Sequence, residues 1–161
     1  AEVLSPAENG RFSAYTLFLL GNWVPDHDYD VIHWNNGQWD VCYMPDGRIH
    51  TPLPTYLDQQ RRIARILAGR SRRLIFATTS PVHDDQFTMA VQNGRKNEDI
   101  IAYNQAASRA LAEMGVEIND LYTPLARDVK RFICSDRVHL SPDGIECCAE
   151  RVSAAIVGPQ A

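Results

Sequence analysis

Short apolar runs alternate along this chain with longer stretches in which apolar residues return every three or four positions. The runs are "YDVIHW" (29–34), "RRLIFATT" (72–79) and "GVEIND" (115–120). Each is short and rich in β-branched or aromatic residues, and reads as a buried strand. "AEVLS" (1–5) reads as a further short strand. Ser13 is placed to cap a helix through "AYTLFLLGN". From Pro54, "TYLDQQRRIARILAG" predicts a helix with Leu57, Ile63, Ile66 and Leu67 on one side and Gly69 as its stop. Residues 98–114 carry Ile100, Tyr103, Ala107, Ala110, Leu111 and Met114 on one helical face. "LYTPLARDVKRF" is helical or partly so, despite Pro124. A last helix runs from Pro142 to about Val157, with Ile145, Cys148, Ala149, Val152, Ala155 and Ile156 in register.

Strands of buried type alternating with amphipathic helices predict βαβ units, hence a parallel sheet covered on both faces. The expected architecture is one three-layer α/β/α domain over residues 1–161. Ligands of such sheets sit beyond the carboxyl ends of the strands. Polar clusters fall there: "NNGQWD" (35–40), "TTSPVHDD" (78–85), and Asp136 with His139 ahead of the last helix.

Composition narrows the function classes. Apolar residues make up 45% and charged residues 22%, as in ordinary globular domains. The net charge of −4 argues against nucleic acid and anionic membrane as partners. Arg61, Arg62, Arg65, Arg70, Arg72 and Arg73 are the local exception, read as a solvated helix face and C-terminus. No run reaches the roughly 18–20 apolar residues of a membrane span. Cys42, Cys134, Cys147 and Cys148 show no zinc-type spacing, and as idle thiols they favour a cytosolic setting. The acids around His27 in "PDHDYD" read as a solvated loop, so no metal and no cofactor are expected.

"CSDRVHLSPDG" (134–144) carries the most chemistry. Ser141 can cap the last helix, Pro142 fits its first position, and Asp143 suits the positive end of its dipole. Leu140 and Ile145 are spaced as a hydrophobic staple. His139 is thereby held on a short loop, where Asp136 can reach one ring nitrogen and leave the other as a general base for acyl transfer. Asn35 or Asn36 could offer an amide, and Gly10 a backbone N–H, to a developing oxyanion.

In these elements the chain resembles the SGNH (GDSL-type) hydrolases, serine esterases and lipases on a flavodoxin-like sheet. "DRVHLSPDG" is similar to their Asp-x-x-His element, "AENGRFS" to the block with the oxyanion-hole glycine, and "DVIHWNNGQWDV" to the block with the asparagine. "LIFATTSPV" and "YNQAASRALAEMGVEINDLY" are similar to a later strand and helix. The resemblance implies His139 and Asp136 as catalytic residues, Gly10 and Asn35 in the oxyanion hole, and Trp34 and Asn36 beside the substrate. Some relatives carry Asn-x-Gly-x-x-Asp where this chain has Asn35 to Asp40. His33, His50 and His83 could touch substrate or simply pack, and Asn104 reads as a buried polar anchor. The implied activity is hydrolysis of a short acyl ester, with deacetylation of a carbohydrate preferred. A non-catalytic binding protein that keeps the fold is the alternative.

The family's Gly-Asp-Ser block is not in the sequence. The nucleophile should precede Gly10. Ser5 stands at the end of a strand, and Ser13 is better read as a helix cap. The family's first strand is central, so the sheet is expected to lack an interior strand. About two dozen residues, one βα unit, are expected upstream or from a complementing peptide or chain.

Overall fold

The computed structural model of the protein describes residues 2–26, 28–83 and 94–158. His27, Asp84, Asp85, Gln92 and Asn93 lie outside these residues. Strands β1 (Tyr29–Trp34), β2 (Ser71–Ala77) and β3 (Glu117–Asn119) form one parallel sheet in the order β1-β2-β3. Ile32 stands opposite Leu74, and Phe76 opposite Ile118. The helices among the described residues are α1 (Ser13–Trp23), α2 (Leu53–Ala68), α3 (Asn97–Ala112), α4 (Tyr122–Ala126), α5 (Val129–Phe132) and α6 (Pro142–Val157). The three apolar runs are the strands because only a sheet satisfies their backbones while burying side chains on two faces.

One sheet face holds the core. Leu74 and Phe76 of β2 meet Tyr56, Ile63 and Leu67 of α2 and Ile100, Tyr103 and Leu111 of α3. Ile32 and Trp34 pack at its margin. The opposite parity of β2 serves α6. Arg73 donates to the carbonyls of Ala155 and Ile156 at 2.9 Å each and pairs with Glu117 at 2.8 Å. It thus satisfies carbonyls that the end of α6 leaves unpaired. Arg62 and Arg72 make exposed pairs with Asp58 and Asp30, as a solvated basic face does.

Several sequence expectations are corrected. Residues 2–6 form no strand, and Val3 and Leu4 are exposed. A strand needs a partner edge, and among the described residues none lies along them. Ser13 is the first residue of α1 rather than its cap, and Phe12 before it supplies no side-chain cap. The orphan N–H of Ser13 donates instead to both oxygens of buried Asp40, each at 3.1 Å, and the Ser13 hydroxyl donates to Oδ1 at 2.6 Å. β1 is half-buried rather than buried. On α6 only Gly144 is buried, while Ile145 is 57% exposed, because little chain covers that face. Ile66 and Met114 are likewise exposed, off the buried stripes of α2 and α3.

Asp40→Ala removes the tertiary cap of α1 and leaves a buried N–H unpaired. It should lower unfolding free energy by about 1–3 kcal/mol, read as a reduced urea midpoint at unchanged slope.

Candidate active site

The loop that carries Asp136 and His139 is built as a tight hairpin. Ile133 and Leu140 form an antiparallel bridge, and Cys134 N–H donates to the His139 carbonyl at 2.7 Å. Arg137 turns the chain at φ 78, a left-handed conformation uncommon outside glycine. Asp136 Oδ1 accepts the N–H groups of Val138 and His139, each at 3.0 Å, which compensates that turn. Ser141 caps α6 by accepting from Gly144 N–H at 3.1 Å, and Pro142 and Asp143 occupy its first turn. A Cβ on Gly144 would stand 2.2 Å from the Phe132 carbonyl oxygen, so the helix can start this close to the hairpin only with glycine there.

Asp136 Oδ2 lies 2.6 Å from His139 Nδ1. The N–H groups of Val138 and His139, then the ring, hold the Asp136 carboxyl down at about 2. An ionised carboxylate only accepts, so Nδ1 carries a proton, and in the neutral ring Nε2 is then the nitrogen with the free lone pair. The His139 side chain is 81% exposed, so that nitrogen is open to a reacting group. The pair has the geometry of a base and its orienting acid.

A second cluster lies where α1 meets the turn after β1. Gly10, Thr16 and Asn36 share it. Thr16 Oγ1 donates to the Gly10 carbonyl at 2.8 Å and accepts from Asn36 Nδ2 at 2.9 Å. Asn36 Nδ2 is 3.6 Å from where a Cβ on Gly10 would stand. The Asn36 carbonyl accepts from Tyr56 Oη at 2.9 Å and Thr79 Oγ1 at 3.1 Å. Its Oδ1 is buried and has no partner among the described residues. Gly37 has φ +149, and a Cβ there would stand 2.0 Å from Thr79 Oγ1, so only glycine makes this turn. Asn104 grips the Thr79 backbone at both N–H (2.8 Å) and carbonyl (2.9 Å), the buried anchor its position in the helix predicts.

The other singled-out residues fall elsewhere. Asn35 is exposed and donates to the Ala77 carbonyl at 2.7 Å, so Asn36 rather than Asn35 is set against Gly10. Trp34 packs on Phe76 at 5.4 Å and donates to Gln60 Oε1, which places its ring between β1 and α2. His33, pushed down by burial, lies 3.2 Å from Asn119 Nδ2. His50 stacks on Phe12, with ring centroids 4.5 Å apart. His83 donates its N–H to the Arg137 carbonyl at 3.1 Å, tying the loop after β2 to the Asp136 hairpin. Ser13 is fully buried against Asp40. Thr16 was not singled out in the sequence, and Asp40 only as the acid that ends the Asn-x-Gly-x-x-Asp pattern. The signal was polar Ser13 and Thr16 at the i, i+3 spacing that α1 completes with Leu20. Among the described residues no group of three or more His, Cys, Asp or Glu is placed to hold a metal, and no helix is long and apolar enough to cross a membrane.

No protein-family model matches the chain. No curated protein matches it either. Solved structures do. A lipase/acylhydrolase from Enterococcus faecalis superposes with TM-score 0.73 at 20% identity, covering 94% of this chain and 75% of that one. An acetylxylan esterase from Geobacillus stearothermophilus gives 0.74 at 16% identity, covering 94% and 70%. A member of the lipolytic G-D-S-L family from Veillonella parvula gives 0.72 at 15% identity, covering 94% and 78%. The chain therefore has the SGNH/GDSL-type hydrolase fold, the α/β class that its sheet and crossover helices define.

The Asp136 carboxyl should titrate near 2 by side-chain carbon NMR. A depressed acid stabilises the folded state above its ordinary value of 3.8, and the contribution is lost as pH falls toward 2. A midpoint in the ordinary carboxylate range is the result that contradicts the two N–H bonds.

Proposed function

We propose that the protein is a serine esterase that hydrolyses short acyl esters through an acyl-enzyme, with deacetylation of a carbohydrate the preferred case. The observation that carries this reading is the 2.6 Å pair of His139 Nδ1 and Asp136 Oδ2 with an exposed Nε2. The likeness to lipolytic and acetylxylan-esterase structures supports the class, and the acetylxylan esterase supports the carbohydrate ester.

In this reading a serine Oγ attacks the ester carbonyl while His139 Nε2 takes its proton. The oxyanion accepts from Gly10 N–H and Asn36 Nδ2, which we assign in preference to Asn35 because Asn36 lies beside Gly10. Collapse expels the alcohol, protonated by His139. Water, activated by the same base, then attacks the acyl-serine, and the acid leaves with the serine restored.

The serine comes from a strand that adds along β1, from a segment ahead of residue 1 or from a complementing chain. One feature supports this. Among the described residues β1 stands at the end of the sheet order, with β2 as its one neighbouring strand.

The test is p-nitrophenyl acetate hydrolysis by the complete protein beside His139→Ala, with intact mass recorded on the same material. Loss of the triad base should lower kcat by about 10³-fold or more. Asn36→Ala should lower it by about 10²–10³-fold, with the smaller loss at Asn35→Ala. Equal rates in wild type and His139→Ala would support a non-catalytic binding protein instead. A mass equal to this chain alone, in an active monomer, would defeat the added strand.

A further inference from the structure

Thr16 is a buried hydroxyl residue that the proposed chemistry does not use. It lies in the second turn of α1, 8% exposed, on the face that also buries Ser13 and Leu20. A threonine inside a helix ordinarily turns its hydroxyl to a carbonyl one turn back or to solvent. Thr16 instead reaches out of the helix to the Gly10 carbonyl at 2.8 Å. With its one proton spent there, its oxygen accepts from Asn36 Nδ2 at 2.9 Å.

We infer that the Thr16 hydroxyl is a positioning group for the oxyanion hole, fixing the Gly10 and Asn36 donors relative to one another. The inference rests on the reading of Gly10 and Asn36 given above. The peptide after Gly10 is clamped at both ends. Its carbonyl is held by Thr16, and its N–H, that of Arg11, is held by Asn9 Oδ1 at 2.7 Å, with Arg11 at φ 49. A glycine would otherwise rotate freely at both of its soft bonds. Among the described residues no hydrogen bond engages the N–H of Gly10 itself. On the other side, one amide proton of Asn36 is committed to Thr16 and the second remains to donate. The same hydroxyl explains the glycine: a Cβ on residue 10 would stand 2.9 Å from Thr16 Oγ1, and a β-branched side chain bonded at both ends has little room to yield.

Thr16→Val keeps the branched shape and removes the hydroxyl, and Thr16→Ser keeps the hydroxyl. Two readouts are taken on the complete protein. By amide NMR, Thr16→Val should shift the Gly10 N–H and Asn36 side-chain amide signals, and Thr16→Ser should leave both near their wild-type positions. In p-nitrophenyl acetate hydrolysis, Thr16→Val should lower kcat about tenfold, less than removal of a donor itself, with KM changed less than about twofold. Thr16→Ser should recover most of that loss. Unmoved NMR signals in Thr16→Val, unchanged kcat in an active enzyme, or equal loss in both variants each overturn the inference. If wild type and His139→Ala hydrolyse equally slowly, the esterase reading falls, and the NMR arm still decides whether Thr16 fixes the two groups.

Discussion

A carboxylate with no exposed surface, Asp40, holds the first turn of α1 against the turn that follows β1. The two segments are 27 residues apart in sequence. Burying a carboxyl is unfavourable, and burial pushes the Asp40 carboxyl up while the Ser13 bonds oppose it. The compensation is structural, because the N-terminus of a helix offers the N–H groups that a buried acid needs. Once α1 is docked this way, Thr16 comes under Gly10, and Asn36 is drawn to the same point. The cluster that we assign to the oxyanion hole therefore hangs on a helix end rather than on the sheet.

Asp136 lives in the opposite electrostatic regime. It is largely exposed and is held ionised by two backbone N–H groups of its own hairpin. The same pair of N–H groups stabilises a left-handed Arg137, so the turn and the charge support one another. Two acids in one small protein thus have environments that push them apart, one toward the neutral form inside and one toward the anion outside. That separation assigns them different work: Asp40 ties elements together, and Asp136 orients a ring.

The sheet has an asymmetry with a physical consequence. Among the described residues β2 has a strand on each side and its last four residues are buried, whereas β1 has a strand on one side and is only half-buried. A parallel strand with the sequence "YDVIHW" is suited to an interior place, since apolar parallel edges invite pairing. An added strand there would bring its own carboxyl end close to the asparagine turn, as strands of a parallel sheet end together.

Much of this was legible in the chain, because much of it is local. The strands β1, β2 and β3, the stripes of α2 and α3, the Ser141 cap and the Asp136–His139 pair each depend on residues within one turn or one alternation of each other. Periodicity and capping chemistry therefore determine them before any long-range contact forms. The role of Ser13, the docking of Thr16, the burial of Asn36 beside exposed Asn35 and the packing of Trp34 on Phe76 were not legible. Adjacent asparagines are equivalent in composition, and a polar stripe on α1 breaks the apolar pattern that sequence reading relies on. Which amide turns inward was decided by contacts spanning 20 residues or more, where the tertiary structure sets Thr16 against one side chain and the Ala77 carbonyl against the other.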